Sequence, residues 1–281
     1  PGPQIPPVET LKKMFPPDKM WPVNDYWDYH CGRNEFNTIN RYRHAMDMRY
    51  GPSRNLEEFV KKAQLMNYEA IRPMFEAFAV NKAKATGIIQ WMLNAAWPKL
   101  YWQLYDYYLT PNGAFFGTMK ACEPLHAIYN YGDHGIYLSN DFYQPKKDLR
   151  LTIQVFGLEG NLLLNDSVKT DIGEYSSRKV YDLPPMPTDT KVYFLSLRLA
   201  DVEGSPVSDN FYWLSAKEDV LDEAKSECFV TPNSAFADFT ALNRMPAASL
   251  EGNVTTTEKD NRTILSVTLK NASPVIAFFT E

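Results

Sequence analysis

Three things are scarce in this sequence, and each scarcity excludes a class. There are three cysteines in 281 residues, Cys31, Cys122 and Cys228. They are too far apart, and odd in number, for a disulfide framework or a zinc-ligand spacing, and no cofactor is expected. An excess of basic charge is missing too: 29 Lys and Arg stand against 34 Asp and Glu, giving a net charge of −5. That balance argues against a nucleic-acid partner, which leaves a basic footprint. No apolar run approaches the ~18–20 residues that a membrane span requires. The opening PGPQIPP has no charged-then-apolar leader, and the reading is that the true N-terminus lies upstream. Internal repeats and low-complexity segments are also lacking.

What is present is ordinary globular composition, 44% hydrophobic and 22% charged, with length for about two domains of ~100–200 residues. Four N-x-S/T sequons, at Asn165, Asn253, Asn261 and Asn271, read as chance occurrences in polar, surface-compatible loops. The hydrophobic pattern changes near residue 125. Before it, Val8–Phe15 reads as a short helix stopped by Pro16-Pro17. Ser53 and Asn55 offer capping oxygens, with Glu58 in capping-box position. Leu56, Phe59, Val60, Ala63, Met66, Ala70, Ile71, Met74 and Phe78 then mark one face of a long helix, which Pro73 should kink. The run Gly87–Leu93 is continuous and mostly apolar, and predicts a strand covered on both faces, as in a parallel sheet. A helix over about Thr118–His126 closes this part.

After residue 126 the period becomes two. IYLSND, LRLTIQVFG, KVYFLSLRLA and NFYWLSA are short β-rich runs between turn residues, the pattern of an antiparallel β-sandwich. A linker over 217–234 leads to a second, less complete set: FADFTAL, ILSVTLKN and PVIAFFTE. That last run reaches the end without a polar tail, as a cut chain would.

One strand among helices cannot satisfy its own backbone groups, and a helix–strand–helix series is the repeating unit of an α/β barrel. If Gly87–Leu93 is the last strand of a (β/α)8 barrel, its C-terminal end faces an active site. Alternation then sends Trp91 and Leu93 one way and Met92 and Asn94 the other, so periodicity does not put Trp91 and Asn94 in one pocket.

The residues WMLNAAWPKLYWQLYDYYLTPNGAFFGTMKACEPLH resemble a segment of glycoside hydrolase family 2 along their whole length. EEFVKKAQLMNYEAIRPMFEAF upstream, and SDNFYWLSAKEDVLD with FADFTALNRMP downstream, match in the same order. The nearest branch holds bacterial exo-β-D-glucosaminidases and relatives of the β-mannosidases. The resemblance implies a C-terminal remnant of a (β/α)8 barrel (1–125), an immunoglobulin-like β-sandwich (126–216), a linker (217–234) and part of a second sandwich (235–281). It implies retaining hydrolysis by two glutamates, both upstream of Pro1, so the chain alone is expected to be inert. The partners implied are a carbohydrate substrate and the upstream remainder of the same enzyme, with no membrane and with self-association of an isolated barrel remnant. A secreted or periplasmic location is expected.

By this resemblance Trp91 floors the subsite for the terminal sugar, since an apolar ring suits the C–H face of a pyranose. Otherwise it is a core residue. Asn94 on the rim is read as a sugar ligand or a turn stabiliser, and Trp97 as a second platform or a plain loop residue. Trp102, Tyr105, Tyr107 and Tyr108 read as packing against the sandwich. Asp25, Asp28 and Glu35 are conceivable contacts for a cationic amino sugar, although solvated loop charges are commoner. His30 beside Cys31 gives no nucleophile pair, because adjacent side chains do not generally meet. His126 and Glu123, near the junction, are read as structural. A rival of another class is a non-catalytic carbohydrate-binding or structural β-sandwich module.

Overall fold

The computed structural model describes residues 2–32, 38–186, 190–227 and 230–279. Helices come first in chain order: α1 (Val8–Met14), α2 (Asp25–His30), α3 (Thr38–Tyr50), α4 (Leu56–Val80) and α5 (Gly113–Ala121). Asn55 caps α4, its side chain accepting the Glu58 N–H at 2.9 Å. Helix α4 continues through Pro73 to Val80. Leu56, Phe59, Val60 and Ala63 are buried as the apolar stripe requires, but so are Lys62, Asn67, Glu69, Arg72 and Glu76. The helix is covered on more than one side, because both α5 and strands of the sandwich pack on it. Contact with α5 is close enough to require glycine. A Cβ at Gly113 would stand 2.2 Å from the Gln64 carbonyl oxygen, and one at Gly117 2.6 Å from that of Tyr68.

The β-sandwich follows. One sheet has the order β1 (Leu125–Asn130), β2 (Gly135–Asn140), β5 (Ser176–Asp182). The other runs β4 (Leu162–Ile172), β3 (Lys146–Gly157), β6 (Val192–Ala200), β7 (Pro206–Ser215). All these pairings are antiparallel, with Ile153 opposite Asp166 on β4 and Leu197 on β6. Strand β6 is buried on both faces. Tyr193, Leu195, Leu197 and Leu199 enter the sandwich core. Val192 and Phe194, with Trp213 of β7, enter a separate core built with the helices. Each large apolar side chain so buried contributes about 1.5–3 kcal/mol. Trp213 is fixed further, stacked on Tyr68 and donating its indole N–H to the Tyr50 hydroxyl at 3.0 Å.

Short strands β8 (Val220–Leu221) and β9 (Asn233–Ala235) pair beyond the sandwich. A hairpin of β10 (Leu250–Lys259) and β11 (Arg262–Asn271) turns at Asp260-Asn261, both with positive φ (52° and 57°), the signature of a type I′ turn. Its register puts Val254, Leu265, Val267 and Leu269 on one face, all exposed. All four sequon asparagines are exposed as well, three of them on this hairpin.

Several expected elements differ. Gly87–Leu93 is an irregular, largely exposed stretch and not a covered strand, because no strand among the described residues lies beside it to pair. The helix expected over Thr118–His126 ends at Ala121, having begun at the Asn112 cap, and Leu125 onward is β1, paired residue by residue with β2. FADFTAL forms no strand: residues 236–239 are irregular and lead into a short 3-10 turn. The described part of PVIAFFTE carries no ladder; residues 280 and 281 lie outside the described residues. Their aromatics bury sideways instead. Phe239 stacks on Tyr50, and Phe278 packs on Phe194 and Trp213. Helices α2 and α3 were not anticipated; Asn24 caps the former by accepting from Tyr26 N.

Gly117→Ala is expected to lower stability by about 1–3 kcal/mol through overpacking against Tyr68, despite alanine's ~1 kcal/mol advantage in helix propensity. Urea unfolding monitored by circular dichroism measures it.

Candidate functional site

Between α4 and α5 the chain makes an excursion that closes on itself. Leu104 N and Tyr105 N both donate to the Leu93 carbonyl at 3.0 Å, and Gln90 Nε2 donates to the Trp102 carbonyl at 2.7 Å. Three buried polar side chains hold the return path. Gln103 accepts from Tyr101 N at 2.8 Å and donates to the Lys99 carbonyl at 2.5 Å. Asn112 caps α5 and donates to the Gln103 carbonyl at 2.9 Å. Asp106 accepts from Tyr108 N, Thr110 N and the Thr10 hydroxyl, at 2.8, 2.9 and 2.5 Å. These residues went unnoticed in the sequence because their neighbours are rings. The P-N-G step at 111–113 was the one signal that marked Asn112 as a cap.

The outer side of the excursion is aromatic and apolar. Trp91 is 71% exposed, with Ile89 and Leu93 flanking it at 91% and 61%. Asn94 is exposed, Ala95 is buried, and Trp97 is again exposed. The Trp91–Met92 peptide is cis. Trp97 rests on α2: its ring lies 5.4 Å from His30 at an interplanar angle of 33°, and 5.7 Å from Tyr29. His30 Nδ1 bonds the Pro98 carbonyl at 2.5 Å, and the His30 carbonyl accepts from Leu100 N at 2.9 Å. One residue of α2 thus clamps both ends of the Trp97–Leu100 turn. Burial lowers the His30 pKa below 6.5, only partly offset by the Pro98 bond, so the imidazole is neutral and donates from Nδ1 at pH 7.

Structure brings Trp97, Tyr29 and His30 together; Trp91 and Asn94 stand on the same excursion. Three of the rings expected to pack on the sandwich are found elsewhere. Tyr105 meets Phe115 of α5, and Tyr108 reaches α1, with Lys13 Nζ over its ring and its hydroxyl donating to the Lys13 carbonyl. Tyr107 is exposed. Cys31 Sγ donates to the Leu100 carbonyl at 3.7 Å, and burial pushes its thiol well above the ordinary value, with Asp28 adding to the effect. That protonated thiol is no nucleophile. Asp25 and Asp28 lie on α2, the helix that carries the Trp97 clamp. Glu35 lies outside the described residues. Among the described residues no cluster of His, Cys, Asp and Glu has metal-site geometry, and no helix is long and apolar enough to cross a membrane.

A family model described as the mannosidase Ig/CBM-like domain matches residues 132–219, and one described as the exo-β-D-glucosaminidase Ig-fold domain matches 228–281. An exo-β-D-glucosaminidase of Arthroderma benhamiae is 35% identical over 99% of this chain, and one of Amycolatopsis orientalis 34% over 97%. The crystal structure of the Amycolatopsis orientalis exo-chitosanase CsxA superposes with a TM-score of 0.92 over 97% of this chain, at 34% identity. These comparisons support a C-terminal fragment of a glycoside hydrolase family 2 protein. The chain matches a C-terminal portion of these family members and spans 32% and 27% of the two glucosaminidases and 33% of the CsxA chain. A β-D-mannosidase from Dictyoglomus thermophilum, 18% identical, shares the fold at a TM-score of 0.71, covering 96% of this chain and 30% of that one. Within the family fold, the segment 132–219 forms most of the immunoglobulin-like sandwich.

Because folding lowers the His30 pKa, the stability tied to the neutral ring is present above 6.5 and is lost as pH falls through the folded value. The Leu100 amide is therefore expected to exchange faster with deuterium on acidification below 6.5, after correction for intrinsic rates. Exchange mass spectrometry on the peptide carrying Leu100 measures this.

Proposed function

We propose that this chain forms the C-terminal portion of a retaining, exo-acting β-glycosidase that removes terminal β-linked glucosamine, or in the mannosidase branch mannose. The observation that carries the reading is the match of 99% of the chain to an exo-β-D-glucosaminidase at 35% identity. A second support is the exposure of Ile89, Trp91 and Leu93 at alternate positions, as expected of a strand whose neighbours come from elsewhere. In this reading residues up to about 125 are the end of a (β/α)8 barrel, and Gly87–Leu93 becomes its last strand when the remainder of the enzyme lies alongside. A chain without that remainder would cover its apolar edge by self-association.

In the assembled enzyme the Trp91 ring would lie under the terminal sugar. The axial C–H groups of a β-pyranose present an apolar face to such a ring while the hydroxyls stay free to hydrogen-bond. Asn94 has a donor and an acceptor to offer at the rim, and Trp97, held by His30, supplies a second plane. Asp25 and Asp28 on α2 favour a cationic 2-amino group over a neutral hydroxyl. Hydrolysis with retention needs two carboxyl groups about 5–5.5 Å apart, one as acid/base and one as nucleophile. We assign that pair to the remainder of the enzyme. A polymer of amino sugars does not cross a membrane unaided, which fits a secreted or periplasmic enzyme. A non-catalytic reading, in which the sandwich itself binds sugar, draws on the CBM-like description of the model matching 132–219.

Titration of the chain with glucosamine oligomers, followed by tryptophan fluorescence, separates the two. Binding weakened about tenfold or more by Trp91→Ala, the loss of one ring contact worth ~1–3 kcal/mol, supports the barrel rim. Unchanged binding in that variant points to the sandwich. The chain alone is expected to release no p-nitrophenol from p-nitrophenyl-β-D-glucosaminide. Turnover abolished by mutating a carboxylate of this chain would overturn the assignment of the catalytic pair.

A further inference from the structure

Where α4 meets the sandwich, a charged cluster is buried in place of apolar packing. His126 of β1 is 1% exposed and lies between two carboxylates: Nε2 is 3.0 Å from Glu76 Oε1, and Nδ1 is 3.2 Å from Glu123 Oε2. From α4 come Arg72 and Glu76, with Arg72 Nε 3.9 Å from Glu76 Oε2 and its guanidinium 3.9 Å over the Tyr212 ring. From α5 and the turn after it come Lys120 and Glu123, paired at 2.6 Å. Strand β7 supplies Ser208, Asp209, Asn210 and Tyr212; β1 supplies the Tyr129 N–H, which donates to the Tyr212 hydroxyl at 3.0 Å, and Tyr131 follows in the turn after that strand.

The hydrogen-bond directions constrain the imidazole. Asn210 Oδ1 accepts from Arg72 Nη1 at 3.1 Å, so its amide nitrogen faces Glu76 and donates at 2.8 Å. Tyr212 donates to the same Glu76 oxygen at 2.9 Å. Ser208 donates to Glu123 Oε2 at 2.8 Å. With these donors committed, each ring nitrogen of His126 faces a carboxylate, and only a doubly protonated ring donates to both. Charge counting agrees: Arg72 and Lys120 oppose Glu76, Glu123 and Asp209, and one further cation makes the cluster neutral.

We infer that His126 is a proton-controlled lock between the helical layer and the sandwich, closed when the imidazolium bridges Glu76 of α4 and Glu123 at the end of α5. Loss of one proton leaves a lone pair against a buried carboxylate. A neutral ring has two ways out: it can accept from Ser208 at Nδ1, or from the Asn210 amide at Nε2. Each removes a donor from Glu123 or Glu76, so the junction loosens either way.

The pH window follows from the signs. Burial opposes the charged ring, but the bonds to Glu123 and Glu76 outweigh it and raise the His126 pKa above 6.5. The lock therefore contributes fully below 6.5 and is lost as pH rises through the folded value. Burial likewise opposes the carboxylates, yet the His126 bond and its neighbours hold Glu76 below 4.5 and Glu123 down to about 2. Their contribution is present above 4.5 and is lost on the acid side.

The full chain labelled with 15N-histidine tests this by NMR between about pH 6 and 10. One of the four imidazoles should keep both nitrogens protonated above 6.5, be assigned to His126 by its loss in His126→Gln, and titrate at a lower pH in Glu123→Gln. Between 6.5 and that midpoint the folding constant should fall by up to about tenfold per pH unit and then level off, a slope that His126→Gln lacks. A His126 ring carrying a single N–H at pH 6.5 would overturn the lock, as would a midpoint unmoved by Glu123→Gln. Glu123 is 29% exposed, so its variant keeps the test decisive even if His126→Gln does not fold.

Discussion

The structure depends on α4 being buried on two sides at once. Its apolar stripe meets α1, α3 and the outer faces of β6 and β7, while Glu69, Arg72 and Glu76 face the seam with the sandwich. Charges in such a place are tolerated only when each is paired and bonded, since an isolated buried ion costs several kcal/mol. Arg72 meets the condition by a bond to Asn210, another to the Phe211 carbonyl, and stacking on Tyr212. Glu69 does so through Arg49, which also pairs with Asp219 beyond the sandwich. The polar seam therefore demands one docking geometry, whereas the greasy contact of Phe194 and Trp213 supplies the bulk of the attraction.

That docking carries through to the aromatic excursion. Helix α5 lies on α4 with two glycines at the contact, and its cap residue Asn112 holds the carbonyl of buried Gln103. Gln103 in turn sets the turn from Lys99 to Tyr101, whose other end is clamped by His30. Trp97 is thus positioned by rigid elements on both sides. Trp91, three residues before Asn94, is instead presented outward with apolar neighbours at alternate positions.

Much of this was legible in the residues. The change from helical to two-residue period near 125, the Asn55 cap, the long α4 and the runs that became β2, β3, β6 and β7 follow from local pattern, which needs no partner to express itself. Other elements were misread for identifiable reasons. FADFTAL and PVIAFFTE look like strands, but Phe239 and Phe278 bury against Tyr50, Phe194 and Trp213 without pairing their backbones. Helices α2 and α3 carry charges and aromatics in mixed order, so no stripe announces them.

By itself, the sequence determined the order of helical and β parts and the caps and turns that bound many of their elements. Those features rest on short-range chemistry: side-chain oxygens reaching their own backbone, and periodicity setting which face is apolar. Only the tertiary structure decided that Gly87–Leu93 has no neighbouring strand among the described residues, that His30 holds Trp97, and that His126 stands between two carboxylates 50 residues and three residues away along the chain. A strand needs a neighbour, a clamp needs two segments to meet, and a buried ion needs its counter-charges. None of these is a property of one stretch of chain.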